Sequence, residues 1–402
     1  MTLLKGKTIL LIGAGPTRIG QSGECDEGAV EACKILTEMG GRVIAIDSNP
    51  DAILTEMGLA HQSYIEPLTM ETLAQIAAAE NPDALLPVFG GSTGLHLASQ
   101  LTRHVAADGT RLKTWGTPAR HLDDLLDRDA LKSTLAALQL ETPPIFSMND
   151  MDAAAAKAQE LGFPIVLRCD DAKLIADGVM VYNQEELRAQ AAPVASEPGA
   201  VLLVEASLWD WRQVELEILR DNGDQTMVAG VVEYLDSAGI HPGDAIGVTP
   251  PQTIPPALLE TLAAHARAIA AHLNILGSAT IRFAYDPTKG TVLVTAVHPR
   301  YTRTSALVTR ASGLPIARLA TLLAAGLVWG DLPPALGAAA KPTQHRNIVA
   351  VKWPHWDFDR LGEIPDRLGP RMQAVGQAVG FGLSFAEALQ NALRAANPGC
   401  SG

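Results

Sequence analysis

The first 118 residues alternate short apolar segments with helical stretches, and this alternation limits the fold more than any other feature of the chain. Residues 7–12 form an apolar segment that ends in a glycine turn, and a helical pattern then runs to Gly40. Two further apolar segments, residues 42–50 and 83–91, each follow a helical stretch. Strands and helices in this order predict a parallel, doubly wound α/β sheet with helices on its faces.

The glycine turn after the first strand has the sequence GAGPTRIG. It resembles a dinucleotide fingerprint, but its glycines are spaced GxGxxxxG instead of GxGxxG, and Pro16 lies within the turn. We therefore interpret it as a tight strand-to-helix connection that requires no ligand.

A hairpin is predicted where two apolar segments flank the turn sequence at residues 286–290. Because side chains alternate between the faces of a strand, Arg282 points to one face of the first strand, and His298 ends the second. Arg300 and Arg303 follow directly. Four cationic or titratable side chains thus gather at one end of the hairpin in a chain of net charge −13. The cluster is either an anion site or a set of structural ion pairs.

The remaining segments predict an α+β arrangement. Residues 119–140 have a helical pattern, and residues 214–220 alternate as a half-buried strand with Glu215 and Glu217 on its polar face. Residues 331–345, rich in proline and alanine, predict a linker.

The charge balance narrows the class of partner. The chain has 44 acidic residues against 31 Lys and Arg, which argues against nucleic acids and membrane surfaces, since both attract basic proteins. A small-molecule or protein partner is expected instead. The sequence has no apolar run of membrane-spanning length, and its four cysteines lack the spacing of a metal site or disulfide framework. We therefore expect a cytoplasmic protein with reduced thiols.

Several longer motifs occur in the order of one known family: GAGPTRIGQSGE, DSNPDAILTEM, YIEPLT, GIHPGDAIGV, HPRYTRTSALVTRASGLPIARLA, and KWPHWDFDRL followed by MQAVGQAVGFG. With these motifs the chain resembles the large subunit of carbamoyl phosphate synthetase, in particular its N-terminal half, which forms carboxyphosphate. The resemblance implies a Rossmann-like pre-ATP-grasp domain followed by an α+β ATP-grasp fold of two subdomains. The expected bounds are residues 1–118, then 119–345 with subdomains of about 119–206 and 207–345, and a C-terminal segment at 346–402.

The resemblance also implies a chemistry. In the family, ATP phosphorylates bicarbonate, the carboxyphosphate reacts with ammonia, and the carbamate is phosphorylated in the other half of the subunit. Arg300 and Arg303 match arginines at the bicarbonate and γ-phosphate end and are the candidates for a catalytic role. The residues assigned to nucleotide or anion binding are Arg128, Arg168, Glu205, Gln213, Glu215, His241, Gly243, Asp244, Arg282 and His298.

The chain departs from the family at the phosphate lid. After Arg168 the family has a proline and a run of glycines, whereas this chain reads CDDAKLIADGVMVYN and keeps only Gly178. Bulky Leu174 and Ile175 prevent close approach of the backbone, and the aspartates of the segment would repel phosphate. A glycine lid over ATP is therefore not expected.

The metal and ribose positions differ as well. The metal-binding Gln, Glu and Asn of the family correspond to Arg282, Ala296 and His298, which supply no oxygen ligand for Mg²⁺. The Glu that holds the ribose corresponds to Gln213. We interpret these changes as fixed cations in place of a metal, so that ATP or ADP is the expected cofactor and Mg²⁺ is disfavoured. Alternatively, Arg282 forms a salt bridge with a neighbour such as Glu215 or Glu217 and fills an empty site.

The sequence leaves three functions open. The first, which we favour, is a nucleotide- or anion-binding pseudoenzyme or regulatory subunit that associates with synthetase or amidotransferase subunits or forms a homodimer. The second is an active ATP-dependent ligase, the N-terminal section of a split synthetase, that phosphorylates bicarbonate or another carboxylate. The third is a metabolite sensor or carrier that uses the Rossmann-like domain.

Overall fold

A computed structural model describes residues 3–15, 22–103, 112–169, 178–195, 197, 200–340, 348–359, 367–397 and 399. The glycine turn beyond Gly15 and the replaced lid at residues 170–177 lie outside the described residues, as does Cys400. Across the described ranges, no helix combines the length and apolar character needed to cross a membrane.

The N-terminal region is a parallel sheet covered by helices on both faces, as the sequence predicts. Its five strands lie in the order β3-β2-β1-β4-β5. The strands are β1 Thr8–Ile12, β2 Arg42–Asp47, β3 Gln62–Ile65, β4 Ala84–Leu86 and β5 Lys113–Thr114, and the helices are α1 Ser22–Glu38, α2 Met70–Glu80 and α3 Gly91–Arg103. The sequence pattern does not predict β3 and β5, because they are short and carry no fully buried side chain.

Two helices follow, α4 Ala119–Leu126 and α5 Arg128–Ala137, where the pattern predicts one helix over residues 119–140. The prediction is wrong at Asp127, because its side chain accepts a hydrogen bond from the Ala130 N–H and caps a new helix. A small antiparallel sheet comes next, in the order β6-β9-β7-β8. Its elements are β6 Ile145–Met148, α6 Met151–Leu161, β7 Ile165–Cys169, β8 Val179–Val181, α7 Gln184–Ala195 and β9 Leu202–Ala206.

The third sheet has seven strands in the order β14-β13-β10-β11-β12-β15-β16, each antiparallel to its neighbours. The strands are β10 Arg212–Arg220, β11 Thr226–Ser237, β12 Gly247–Thr249, β13 Gly277–Tyr285, β14 Val292–His298, β15 Val349–His355 and β16 Gly376–Gly382. The helices are α8 Pro256–His272, α9 Arg303–Ser312, α10 Ile316–Ala324, α11 Pro334–Ala339 and α12 Phe385–Ala396. The predicted hairpin is confirmed as β13 and β14.

The two faces of this sheet differ in chemistry. Val214, Leu216 and Ile218 of β10 pack with α8 in an apolar core. Glu215 occupies the opposite face, where it accepts a hydrogen bond from a side chain of α9. Helix α9 packs against α1, and Arg310 of α9 pairs with Glu27 of α1 at 2.8 Å. The N-terminal domain is thereby held close to the polar face of the sheet.

The C-terminal residues extend the same sheet. Strand β15 pairs with β12, and β16 pairs with β15. Helix α12 packs Ala388 and Ala392 against Val351 of β15. The linker predicted at residues 331–345 is wrong for Pro334–Ala339, which is α11. The segment beyond residue 346 thus supplies two strands to the sheet that carries the hairpin.

Candidate anion site

A cavity of about 260 Å³ lies between the polar face of the seven-stranded sheet, the start of α9, the loop before β12 and the start of α1. Its wall is built from charged and hydroxyl side chains more than from apolar ones. The lining residues are Cys25, Glu215, Tyr234, His241, Pro242, Thr280, Arg282, His298, Arg300, Thr302, Arg303, Thr304, Leu307 and Lys352.

Glu215 and Arg282 form an ion pair on the cavity wall. They are directly opposite each other in the β10–β13 ladder, and Arg282 Nε lies 2.7 Å from Glu215 Oε1. The second carboxylate oxygen accepts hydrogen bonds from Tyr234, at 2.8 Å, and from the Thr304 hydroxyl. Burial raises the pKa of Glu215, but the Arg282 charge and these hydrogen bonds outweigh it and lower the pKa to about 2. The pairing partner of Arg282 is therefore Glu215, which was one of the two explanations left open by the sequence.

Glu217 lies beneath the cavity and is not an ion-pair partner. Ser278 and Thr280 donate their hydroxyls to its carboxyl oxygens at 2.5 and 2.7 Å. Burial, reinforced by the neighbouring Glu215, raises the pKa of Glu217 to about 8. Thr280 is also 2.7 Å from the Thr302 hydroxyl, so this buried network supports the start of α9.

The N-terminus of α9 points into the cavity. Thr302 caps the helix through a reciprocal capping box with Ser305, and Thr302, Arg303 and Thr304 all line the wall. The N-terminus of a helix carries partial positive charge, which favours an anion, while the N–H groups of Thr304 and Ser305 already donate to the Thr302 hydroxyl. This positive end adds to the charges of the arginine side chains.

Arg300 and Arg303 face the cavity, and neither forms an ion pair with a carboxylate of the described residues. Arg300 donates one hydrogen bond to the Tyr301 carbonyl at 3.4 Å, and both terminal nitrogens of Arg303 lie 3.8 Å from Met372 sulfur. Burial, together with the charges of neighbouring arginines, lowers the pKa of Arg300, so a bound anion would stabilise its charged form.

The two histidines add no charge near neutral pH. Burial and the adjacent arginines lower the pKa of His298 to about 3 and that of His241 to about 2. The expectation that His298 contributes to the cationic set is therefore wrong at neutral pH. His241 Nδ1 accepts a hydrogen bond from the Gly243 N–H at 3.0 Å, which leaves the proton of the neutral ring on Nε2.

Lys352 is a wall residue that the sequence reasoning missed. It belongs to β15, is almost fully buried, and donates a hydrogen bond from Nζ to the Pro242 carbonyl. Its ammonium also lies 5.3 Å from the centre of the Tyr234 ring. A lysine that directly follows three apolar residues of a strand is the signal that points to it, since lysine is rarely fully buried unless it is paired. With Lys352, four fixed cations and one carboxylate line the cavity.

Gly243 and Asp244 have structural roles beside the cavity. A Cβ on Gly243 would lie 2.8 Å from Met372 sulfur and 3.0 Å from Arg303 Nη2, so a larger residue there would displace these side chains. Asp244 is fully buried and accepts hydrogen bonds from the backbone N–H groups of Gln373 and Ala374 at 2.9 and 2.6 Å. The assignment of Asp244 to ligand binding is corrected on this geometry, because its oxygens tie the loop to the residues before β16.

The remaining predicted residues lie off the cavity wall. Arg168 of β7 pairs with Glu205 of β9 at 2.7 Å, and Arg128 is exposed at the start of α5. Gln213 lies two residues before Glu215 on β10, is 2% exposed, and its Nε2 has no hydrogen-bond partner among the residues that the structure describes. The structure thus gathers the hairpin arginines with His241 and Glu215, and places Arg168 and Glu205 together in the small sheet.

The donor set of the cavity does not fit Mg²⁺. This ion takes oxygen ligands in near-octahedral geometry, whereas the Glu215 oxygens already accept hydrogen bonds from Arg282, Tyr234 and Thr304. Arg282 itself is paired in register with Ala296 on β14. Within the described part of the chain, no group of three or more His, Cys, Asp or Glu residues is placed to hold a metal ion.

The fold defines the class of the protein. A Rossmann-like domain followed by a small and a large antiparallel sheet is the architecture of the ATP-grasp class. The biotin carboxylase domain of Hydrogenobacter thermophilus 2-oxoglutarate carboxylase, solved with MgADP, ADP and bicarbonate, has a TM-score of 0.65 at 17% identity and covers 89% of this chain and 77% of its own. N5-carboxyaminoimidazole synthetase from Staphylococcus aureus, complexed with ADP, has a TM-score of 0.67 at 15% identity and covers 98% of each chain. At these identities the likeness shows the fold.

Sequence comparison identifies the family. Residues 5–124 match the carbamoyl phosphate synthase preATP-grasp domain, and residues 127–330 match the carbamoyl-phosphate synthase L chain, ATP binding domain. The chain therefore belongs to the carbamoyl phosphate synthase large-chain family. It is 34% identical over 401 residues to the large chain of Halomonas eurihalina and 36% identical over 401 residues to that of Thermus thermophilus. Those alignments cover 98% and 96% of this chain but 37% and 39% of the relatives, so the chain spans less than half of their length.

Proposed function

We propose that this protein binds a small anion or the phosphates of a nucleotide through fixed cations, without a divalent metal, and acts by binding. The observation that carries the proposal is that Arg300 and Arg303 both face the cavity, on whose wall Arg282 lies 2.7 Å from Glu215. The ion pair holds the Arg282 guanidinium on the wall. Arg300 and Arg303 have no carboxylate partner among the described residues, so their charge is available to a ligand.

Charge favours an anion over a cation in this cavity. Four fixed cations and the positive end of α9 face one carboxylate, which is already paired. Hydrogen bonds between charged partners are stronger than neutral ones, and guanidinium groups match the geometry of phosphate and carboxylate oxygens. The Thr302 and Thr304 hydroxyls on the same wall supply further polar contacts.

A nucleotide would extend from the cavity towards the small sheet. Arg128 and the Arg168–Glu205 pair are the residues that we assign to that part of the nucleotide, and the amide of Gln213 lies on β10, two residues before Glu215. The structural neighbours solved with ADP support a nucleotide as the ligand. We propose a subunit of a synthetase or amidotransferase complex, or a homodimer, as the assembled form.

Titration calorimetry with inorganic phosphate, bicarbonate and ADP tests this proposal. Arg300→Gln is expected to weaken binding of at least one of these anions about 10- to 100-fold, which is the effect of losing one charged hydrogen bond. Arg310→Gln is the matched control, because Arg310 is an arginine of α9 that has an exposed ion pair and does not line the cavity. Equal affinities in the two variants would argue against the cavity as the binding site.

An active ligase of the carbamoyl phosphate synthetase type is the second candidate. The family relatives named carbamoyl phosphate synthase support it, as does the grouping of His241, Arg300 and Arg303 on one wall. This function requires ATP turnover that depends on bicarbonate. We expect no such turnover from this chain, and phosphate release that rises with bicarbonate concentration would establish the ligase instead.

A further inference from the structure

Glu217 is a fully buried carboxyl group that the proposed function does not use. Its carboxyl oxygens contact the hydroxyl groups of Ser278 at 2.5 Å and Thr280 at 2.7 Å. Among the residues that the structure describes, no cation pairs with Glu217, whereas Glu215 pairs with Arg282. A buried carboxylate without a cation is costly, and protonation removes that cost.

Two hydroxyl groups connect Glu217 to the cavity. Thr280 and Thr302 both line the cavity, and their hydroxyl oxygens are 2.7 Å apart. The Thr302 oxygen also accepts hydrogen bonds from the N–H groups of Thr304 and Ser305, at 3.2 and 3.5 Å, so its own hydrogen points away from them. A proton gained or lost at Glu217 therefore acts on the cavity wall through contacts of hydrogen-bond length.

The protonation state of Glu217 sets the direction of this chain of hydrogen bonds. When Glu217 is ionised it only accepts, so Thr280 donates to it and Thr302 donates to Thr280. Neither hydroxyl then donates to a bound anion. When Glu217 is protonated, its O–H donates to Thr280, and one threonine hydrogen is free to point into the cavity. The reversal falls on Thr280, because the buried Ser278 hydroxyl has no second partner within the described ranges.

The neighbouring strands supply no other group that titrates near neutral pH beside Glu217 in the described chain. On β10, Glu215 stays ionised because its pKa is about 2, and Arg282 of β13 is its partner. Gly230 of β11 lies directly opposite Glu217. His298 of β14, which pairs in register with Thr280, is neutral because burial lowers its pKa to about 3.

The helices packed on the same sheet have charges that do not change in this pH range. Tyr301, just before α9, is neutral because burial raises its pKa. Arg303 of α9 faces the cavity, and Arg310 pairs with a carboxylate of α1. The charged residue of α10 is Arg318, which pairs with two carboxylates of α1. Burial raises the pKa of Glu217 itself to about 8.

We propose that Glu217 is a positioning residue of the anion cavity: in its protonated form it donates to Thr280 and turns one wall hydroxyl towards the anion, so that anion binding is coupled to proton uptake. The proposal rests on the proposed anion site. Ionisation of Glu217 opposes binding in two ways, because it withdraws the hydroxyl donor and places a negative charge beneath the ligand. Affinity should change little below pH 7 and fall as the pH rises through 8.

Calorimetric titration with sulfate tests the coupling, because sulfate keeps the same charge across this pH range. Losing one hydrogen bond to a charged group weakens binding about 10- to 100-fold, so the wild type should bind sulfate ~5- to 10-fold more weakly at pH 9 than at pH 7. At pH 9, buffers of different ionisation enthalpy should report uptake of ~0.4 to 0.8 proton per sulfate. Equal affinities at the two pH values, without proton uptake, would overturn this proposal alone. No sulfate binding at either pH would overturn the proposed function and this proposal together.

Glu217→Gln separates the carboxyl group from other sources of pH dependence. Its amide donates to Thr280 and accepts from Ser278 at every pH, so the variant should lose both the pH dependence and the proton uptake. Cys25→Ser removes a thiol from the cavity wall and should keep both. Persistence of the pH dependence in Glu217→Gln, or its loss in Cys25→Ser, would assign the proton to another group and overturn the proposal.

Thr280→Val tests whether the coupling passes through the hydroxyl groups. The variant keeps the Glu217 carboxyl group and removes its connection to Thr302, so the difference in sulfate affinity between pH 7 and pH 9 should become smaller. Arg310→Gln, which changes α9 away from the cavity, should keep the wild-type difference. A difference as large in Thr280→Val as in the wild type would show that charge alone couples the two sites and would overturn the positioning role.

Discussion

Replacing Arg282 by glutamine removes the cation that holds Glu215 in its charged form. Against the opposing effect of burial, the Arg282 charge and three hydrogen bonds lower the pKa of Glu215 from 4.5 to about 2. One pKa unit is worth ~1.4 kcal/mol, so this lowering corresponds to ~3 kcal/mol of folding stability. Because the folded-state pKa is the lower one, the contribution is complete above pH 4.5 and is lost as the pH falls towards 2.

The variant leaves a buried carboxylate without its cation. We expect a loss of ~3 kcal/mol in the free energy of unfolding at pH 7, as is typical when one partner of a buried ion pair is removed. Burial then raises the pKa of Glu215, so protonation relieves the charge and the loss becomes smaller as the pH is lowered from 7 to 5. Adding Glu215→Gln removes the buried charge and should recover most of the stability.

Urea unfolding of the four proteins of this double-mutant cycle, at pH 7 and pH 5, measures the coupling directly. Arg310→Gln is the control, since its exposed pair with Glu27 is worth less than ~1 kcal/mol. The ion pair does not stabilise the fold if Arg282→Gln loses no more stability than Arg310→Gln, or if the losses of the two single variants simply add in the double variant.

Three further results follow from the same geometry. The pKa of Glu217, about 8, predicts that folding stability falls as the pH rises from 4.5 through 8. Glu217→Gln should flatten this part of a plot of melting temperature against pH. An unchanged plot would contradict the raised pKa of Glu217. Asp244→Asn should lower stability by ~1–3 kcal/mol and speed amide hydrogen exchange in β16, and slow exchange there would show that the anchor lies elsewhere. The combined changes Arg282→Gln, Ala296→Glu and His298→Asn should make nucleotide binding depend on Mg²⁺, and calorimetry that shows no such dependence would count against the replacement of metal by cations.

Much of the fold follows from local sequence patterns. The sequence predicts strands β1 and β2, helix α8, and the hairpin of β13 and β14. In each of them the spacing of apolar residues or the turn residues match the environment that the element has in the fold. The break at Asp127 shows where local reasoning fails, since an aspartate within a helical pattern also caps a new helix. Helix α11, Pro334–Ala339, shows that composition also misleads. The prolines of this segment predict a linker, but proline is well tolerated in the first turn of a helix.

The site was predictable only in part, because it is assembled from distant segments. The sequence brings Arg282, Arg300 and Arg303 together through the hairpin and the turn after it. Nothing local shows that Lys352 reaches the same cavity, since its strand joins the sheet through β12. The loss of positive charge on His298 likewise depends on burial beside the arginines, which only the folded chain reveals.

Calorimetric titration of ATP into the wild-type protein, once with excess Mg²⁺ and once with a chelator, tests whether fixed cations replace the metal in this cavity. Binding through Arg300, Arg303 and the Arg282–Glu215 pair predicts a dissociation constant that is the same in both conditions or lower in the chelator, where the nucleotide carries its full negative charge. Binding that appears only with Mg²⁺ would contradict the claim and make the ligase the better account of this chain.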